Sequence, residues 1–391
     1  MPDPYGNRAA PARGRSARPE PGASAVPALT VMQLLPALES GGVERSTIEI
    51  AAALVAAGHR ARVISAGGRL LPELLATGAE HLALGIDRKS PLTFRHVPAL
   101  RRLFAGVDIV HARSRLPAWL AWRALAGMAS PPRFVTTVHG LNSPGRYSAI
   151  LTRGERVICV SQAVRRHLER HYPDLDSRRL VVIPRGIDRR AFPRASVAPQ
   201  QARRAGGWDW PDLVDGRLLL LPGRGTRLKG HRAAIMLLAG LRAQGIDARL
   251  LLAGAEQGGR DRYLASIRRA AQAAGVATWL RITPPRADMA RLYAGADLVL
   301  QLSERPEAFG RTVLEALAVG RPVLGWNHGG VGELLAELYP AGVVAVGAHD
   351  VLLAATGTLL QTPPPVPVTI PYSLESMQTR TLDLYAQLHQ S

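Results

Sequence analysis

The chain has 391 residues, of which 47% are hydrophobic and 20% charged. That allows two globular domains with sizeable cores and excludes a small disulfide-stapled module. The formal charge is +19, and no apolar run is long enough to span a membrane as a helix.

The positive charge is unevenly spread. Residues 1–190 carry 28 basic and 14 acidic residues, against 21 and 16 in residues 191–391. A polyanionic partner is therefore expected at the N-terminal half: nucleic acid, an anionic membrane face or a phosphorylated substrate. Residues 1–28 hold six prolines and four arginines without a continuous apolar segment. They read as a disordered tail rather than a signal peptide. The single cysteine, Cys159, lies in RVICVS and reads as an inert core thiol, which fits a cytoplasmic protein.

From residue 29 on, apolar strands and helical patterns alternate. ALTVMQLLP (28–36) reads as a strand, and Gly41-Gly42 opens a helix that ends near Ala57. Strands are then expected at 61–67, 81–85, 108–114, 133–140, 156–161 and 179–184, with helices between most of them. The Pro- and Arg-rich stretch after 185 interrupts the rhythm, and 191–216 reads as a linker. A second series follows at 217–223, 248–254, 279–283, 297–303, 322–327 and 342–347. The Pro-rich 361–371 ends that series, and a last helix is expected near 374–388. Apolar strands alternating with helices mean parallel sheets covered on both faces. The fold class is thus α/β, with two Rossmann-like domains, 29–190 and 217–365, facing each other across a cleft, and a C-terminal helical segment, 366–391.

Several strand ends carry chemistry. SERPEAFGRTVLEALAVG (303–320) leaves a buried strand, passes Phe309-Gly310 and enters a helix, with Glu307 and Glu315 eight residues apart. LPGRGTRLKGH (221–231) places Arg224 and Lys229 among glycines in a strand-to-helix loop, a good site for a diphosphate. Its spacing is not that of a P-loop. Gly41-Gly42 forms a similar turn after the first strand. His111 and His139 each end a strand and can donate to a hydroxyl or carbonyl. Asp174-Leu175-Asp176 has the spacing of a metal motif but stands in a turn, where aspartates cap backbone. NHGGVGE (327–333) is a glycine turn bringing Glu333 near. Two helical stretches, 116–128 with Trp119 and Trp122, and 162–172 with Arg165, Arg166 and Arg170, have the basic and aromatic character of interfacial helices.

The order GGVER, TTVHG, GRGTRLKG, RPEAFGRTVLEALAVGRPVL and GGVGE resembles the retaining GT-B glycosyltransferases of family 4, over about residues 29–348. The resemblance implies a nucleotide-sugar donor held by the C-terminal domain and an acceptor held by the N-terminal one. Arg224 and Lys229 would grip the donor diphosphate, and Gly41 and Gly42 would lie against it. Glu315 would bind the ribose, and Glu307, with Ala308, Phe309, Gly310, Arg311 and Thr312, the donor sugar. His139 would assist transfer, and His111 and Arg113 would touch the acceptor. No cofactor and no metal are expected. The chain departs from the family pattern at Pro184-Arg185-Gly186, where asparagine usually precedes the glycine. It departs also at Gly225, commonly apolar, and at Thr283-Pro284-Pro285, by the base.

The expected function is retaining transfer of a sugar to a lipid-linked anionic glycan, as in lipopolysaccharide core or another cell-surface polysaccharide, at the inner face of an anionic membrane. A soluble small-molecule acceptor and a nucleotide-sugar epimerase of the same architecture are the enzymatic rivals. A nucleic-acid-binding protein is the rival from the net charge; no RRM, zinc-finger or helix-turn-helix pattern supports it.

Overall fold

The computed structural model describes residues 28–39, 41–205 and 207–391. The expected tail therefore lies, but for Ala28, outside the described residues. Among these, the first sheet holds β1 (Thr30–Leu34), β2 (Arg60–Ser65), β3 (Glu80–Ala83), β4 (Ile109–Ala112), β5 (Arg133–Val138), β6 (Arg156–Cys159) and β7 (Leu180–Val182). The second holds β8 (Arg217–Pro222), β9 (Ala248–Ala253), β10 (Leu280–Ile282), β11 (Leu298–Gln301), β12 (Val323–Trp326) and β13 (Val343–Val344). Every expected strand is present, each a residue or more shorter than its apolar run.

The sheet orders are β3-β2-β1-β4-β5-β6-β7 and β10-β9-β8-β11-β12-β13, and the pairings are parallel. The central strands are covered on two faces and are mostly apolar, while the edge strands β3 and β10 are only partly buried. In β8, Leu218 to Leu221 are all but fully buried, each contributing about 1.5–3 kcal/mol of burial. The strand order reverses between β1 and β4 and between β8 and β11. Open α/β sheets bind ligands at such switch points, beyond the carboxyl ends of the strands. The loops after β1, β4, β8 and β11 carry Gly41-Gly42, Arg113, Arg224 with Lys229, and Glu307, so the topology itself collects most of the expected site.

Two segments outside the strand series are placed by long-range contacts. Within 191–216, the helix Pro199–Ala205 docks on the second domain instead of hanging as a linker. Arg203 anchors it: fully buried, it pairs with Asp297 at 2.8 Å and donates to the carbonyls of Val214, Gly295 and Gly216. A buried guanidinium is tolerable only when satisfied this completely. The C-terminal helix, Leu374–Gln390, crosses back to the first domain. Its buried stripe is Met377, Thr381, Leu384, Tyr385 and Leu388, which packs on the helix Gly42–Ala56. Chain continuity and this helix together tie the two domains at one side of the cleft.

Candidate active site

A cleft of about 440 Å³ lies between the two switch points. Gly41 and Gly42 line it from the first domain. Arg224, Lys229, Gly254, Pro285, Tyr293, Thr312 and Glu315 line it from the second. The expected diphosphate loop and the opposing glycine turn therefore do face each other. A larger cavity of about 650 Å³ lies between the domains near Arg166, Phe309, Glu333 and Tyr372. It lacks the cation pair and the glycine turn, so the smaller cleft is the better candidate.

The loop after β8 is built for its task. The Lys229 stem folds back over Gly223, where a Cβ would stand 3.1 Å from it, and the chain enters the helix His231–Ala243 at Gly230. The departure at Gly225 has a steric cause: a Cβ there would stand 2.1 Å from the Ala255 carbonyl oxygen. Arg224 is exposed at the rim. Lys229 Nζ pairs with Glu307 Oε1 at 2.6 Å, and Ser303 Oγ donates to the same oxygen. The expected sugar-holding carboxylate and the expected phosphate-holding ammonium thus neutralise each other, an arrangement that a bound diphosphate would compete for. Gly310 has φ +113°, and a Cβ there would meet Val331 Cγ2 at 2.9 Å. Its glycine is set by backbone conformation and by close packing of the next helix.

Glu315 projects from the helix Arg311–Val319. Its Oε2 accepts from Tyr293 Oη at 2.7 Å, and Arg311 Nε stands 3.3 Å from Oε1. Burial raises its pKa, partly offset by Arg311 and the Tyr293 hydroxyl. Arg311, expected on the donor sugar, instead reaches across the cleft to Glu49 at 2.9 Å. Thr312 accepts from Gln301 Nε2 at 2.7 Å. Ala308 gives its carbonyl to Ser161 Oγ at 2.6 Å, a second contact between domains.

On the first domain, His139 Nδ1 lies 2.7 Å from Arg185 Nη2, and its Nε2 is buried with no hydrogen-bond partner among the described residues. Burial, then the charges of Arg185 and Arg113, hold the His139 pKa well below the ordinary histidine value. His111 and Arg113 do not face the cleft as expected. Both ring nitrogens of His111 are taken, by Tyr385 Oη and Thr137 Oγ1 at 2.6 Å each, and the residue is fully buried. Arg113 is buried too, donating to Gln33 Oε1 at 2.6 Å and Ser46 Oγ at 2.7 Å. Their contacts are internal: Arg113 supports the Gly42–Ala56 helix through Ser46, and His111 ties β5 to the C-terminal helix.

The other expected features are spent structurally. Asp176 caps and pairs with Arg178. Among the described residues no three His, Cys, Asp or Glu side chains are grouped to hold a metal. Cys159 is buried, its thiol pushed up to about 12 by burial. Trp119 donates its indole N–H to the Tyr147 carbonyl and stacks edge-on against Trp122. Arg165 pairs with Glu169 and Arg166 with Glu333. Arg166 and Arg170 nevertheless remain exposed. Sequence reasoning gave no role to Arg185, Glu49 or Tyr293. Only Arg185 left a signal, as the departure in Pro184-Arg185-Gly186.

Residues 40–190 match the family described as Glycosyltransferase Family 4, and residues 211–365 match Glycosyl transferases group 1. A D-inositol 3-phosphate glycosyltransferase from Segniliparus rotundus is 28% identical over 216 residues, 55% of this chain and 46% of the relative. The chain thus spans about half the length of that relative. A glycosyltransferase from Rickettsia africae has a TM-score of 0.81 and 27% identity, covering 93% of this chain and 99% of the other. The Anabaena HepE protein, solved with UDP-glucose, has a TM-score of 0.76 at 19% identity, with 92% and 100% covered, a likeness of fold. Both domains match in order, the two parallel sheets face each other across a cleft, and the chain belongs to the family 4 glycosyltransferases of GT-B fold.

Proposed function

We propose that this chain moves a sugar from a nucleotide-diphosphate donor to an anionic acceptor, with retention at the transferred carbon. The observation that carries the reading is the convergence of Arg224 and Lys229 with Gly41 and Gly42 in one cleft, beside Glu315. Fixed cations there meet the negative charge that grows on the leaving diphosphate, and no metal is given that task. Glu307 is engaged by Lys229 and Ser303, and Glu315 by Tyr293 and Arg311. Neither is presented as a nucleophile, so retention is assigned to front-face departure, the acceptor attacking from the leaving-group side. A thermal-shift panel of nucleoside diphosphates and their sugars tests the donor, since a ligand of the native state raises the melting temperature with its concentration over Kd. A uridine-diphosphate sugar is the first to try, because the Anabaena protein binds one. A stabilising donor whose product shows an inverted anomeric centre by NMR would refute the front-face reading. Donor consumed without acceptor would favour the epimerase.

The acceptor is proposed to be lipid-linked, in lipopolysaccharide core or another cell-surface glycan, and met at an anionic cytoplasmic membrane face. The support is a surface other than the two helices read from sequence. Leu92 is 73% exposed and Phe94 38%, in the turn Pro91–His96. Arg88, Lys89, Arg95, Arg101 and Arg102 are exposed along the same segment. Apolar tips ringed by cations suit an anionic bilayer surface, each cation adding about 1 kcal/mol there. Replacing Leu92 and Phe94 by glutamate is expected to lower co-sedimentation with phosphatidylglycerol vesicles several-fold while leaving donor binding unchanged. Undiminished co-sedimentation would move the membrane contact to another surface, and wild-type protein that does not co-sediment would favour the second reading, a soluble phosphorylated acceptor, which the name of the Segniliparus relative supports.

A further inference from the structure

Arg185 follows β7 at the crossing between domains, where the resembling family carries asparagine. It is 7% exposed. One guanidinium nitrogen donates to the Gly42 carbonyl and the other lies 2.7 Å from His139 Nδ1. Among the described residues no carboxylate is within hydrogen-bond distance of it; Glu49 and Glu44 act on it only through space, and burial holds its pKa down to about 9. A guanidinium has five donors and no acceptor. The His139 nitrogen that meets it must therefore offer a lone pair, which leaves the ring proton on Nε2. An asparagine could turn either its carbonyl or its amide to the ring and would select neither tautomer.

We infer that Arg185 is a positioning residue that locks His139 as the neutral Nε2–H tautomer and, through the same guanidinium, pins the Gly42 turn beside it. The consequence is chemical. In that form His139 presents a donor at Nε2 and has no free lone pair with which to act as a base. The unpartnered Nε2 sits in a small buried pocket apart from the donor cleft, with Ser46, Thr137, His111 and Arg113 among aliphatic side chains. The charged and titratable groups around the ring are Arg185 from the crossing and Arg113 and His111 from the end of β4; the helix Gly42–Ala56 and the C-terminal helix add Ser46, Ile50, Met377 and Thr381, which are uncharged. Each of those three groups opposes a second proton on the ring. Given the proposed function, on which this last step rests, His139 takes no proton from the acceptor and serves transfer by fixing, through Arg185, the Gly42 turn that lines the donor cleft.

The test is nitrogen NMR of the full chain with labelled histidine, with His139→Gln to identify the signals. Wild-type protein should show a protonated Nε2 and an unprotonated Nδ1, unchanged over about pH 5.5 to 8.5, a range that spans the ordinary histidine value. Arg185→Met keeps the length but removes every donor. It should give a mixture of both tautomers, and kcat/KM should fall on the order of tenfold, the worth of one hydrogen bond. Arg185→Lys offers donors only and should restore the single tautomer and part of the activity. A wild-type ring with its proton on Nδ1, or one unchanged tautomer in folded Arg185→Met, overturns the inference. A ring that changes while kcat/KM stays at the wild-type level counts against His139 in transfer, and so against the proposed function, and leaves the tautomer assignment standing.

Discussion

Lys229→Ala is expected to reduce turnover by about 100-fold or more, with Arg224→Ala close behind, and both proteins should melt near the wild-type temperature. The size follows from when the charge is needed. Breaking the sugar–phosphate bond puts growing negative charge on the diphosphate, and a fixed cation aimed at it is worth more in the transition state than in the ground state. Arg224 is exposed and Lys229 is only partly buried, so neither loss opens a cavity. Lys229→Ala also leaves Glu307 with Ser303 alone. A carboxylate without its ammonium beside the diphosphate adds repulsion, which is why Lys229 ranks first. Steady-state turnover with a saturating donor, read beside the melting curve, separates this from unfolding. Turnover within a few-fold of wild type in either variant removes the cleft as the catalytic centre.

The difference between what was legible in the sequence and what was not follows the range of the interactions. Each strand announced itself through a local apolar run, because strands buried on both faces need nothing else. The phosphate loop and the glycine turn were legible for a similar reason: glycines and cations at strand ends are local chemistry, and the parallel topology brings them together. The failures are long-range. His111 ends a strand as expected, but its fate is set by Tyr385, 274 residues away on a helix that crosses between domains. Arg311 lies in the right turn of the right helix, yet its guanidinium goes to Glu49, 262 residues earlier. Arg203 sits in a polar, proline-rich stretch that reads as a linker, and only its buried pair with Asp297 makes it part of a domain. Trp119 and Trp122 have the composition of an interfacial helix, and composition alone does not reveal that the Trp119 indole N–H goes to the Tyr147 carbonyl. Arg185 was visible as an anomaly without a meaning until its neighbours were known.

Glu315→Ala should weaken donor binding on the order of 10- to 100-fold and lower the rate of the bond-breaking step much less. Hydrogen bonds to a charged acceptor contribute about 1.5–3 kcal/mol each, and every 1.4 kcal/mol is about tenfold in affinity. The carboxylate lines the same cleft from the first turns of its helix, and as the proposed ribose-holding group it would meet a part of the donor whose charge does not change during transfer. An interaction equally strong in ground and transition states moves affinity and not the chemical rate. Arg311 keeps its 2.9 Å bond to Glu49 when Glu315 is gone, which protects the contact between domains. Acid gives an independent check. Burial raises the Glu315 pKa above the ordinary glutamate value, so the carboxylate neutralises at a higher pH than an exposed glutamate. Wild-type donor affinity should therefore decline on acidification at a pH where Glu315→Ala no longer responds. Calorimetric donor binding across that range, with single-turnover rates beside it, reads both effects. Equal donor affinity in wild type and Glu315→Ala would remove the ribose-holding role, and a loss confined to the single-turnover rate would move Glu315 to the reacting centre.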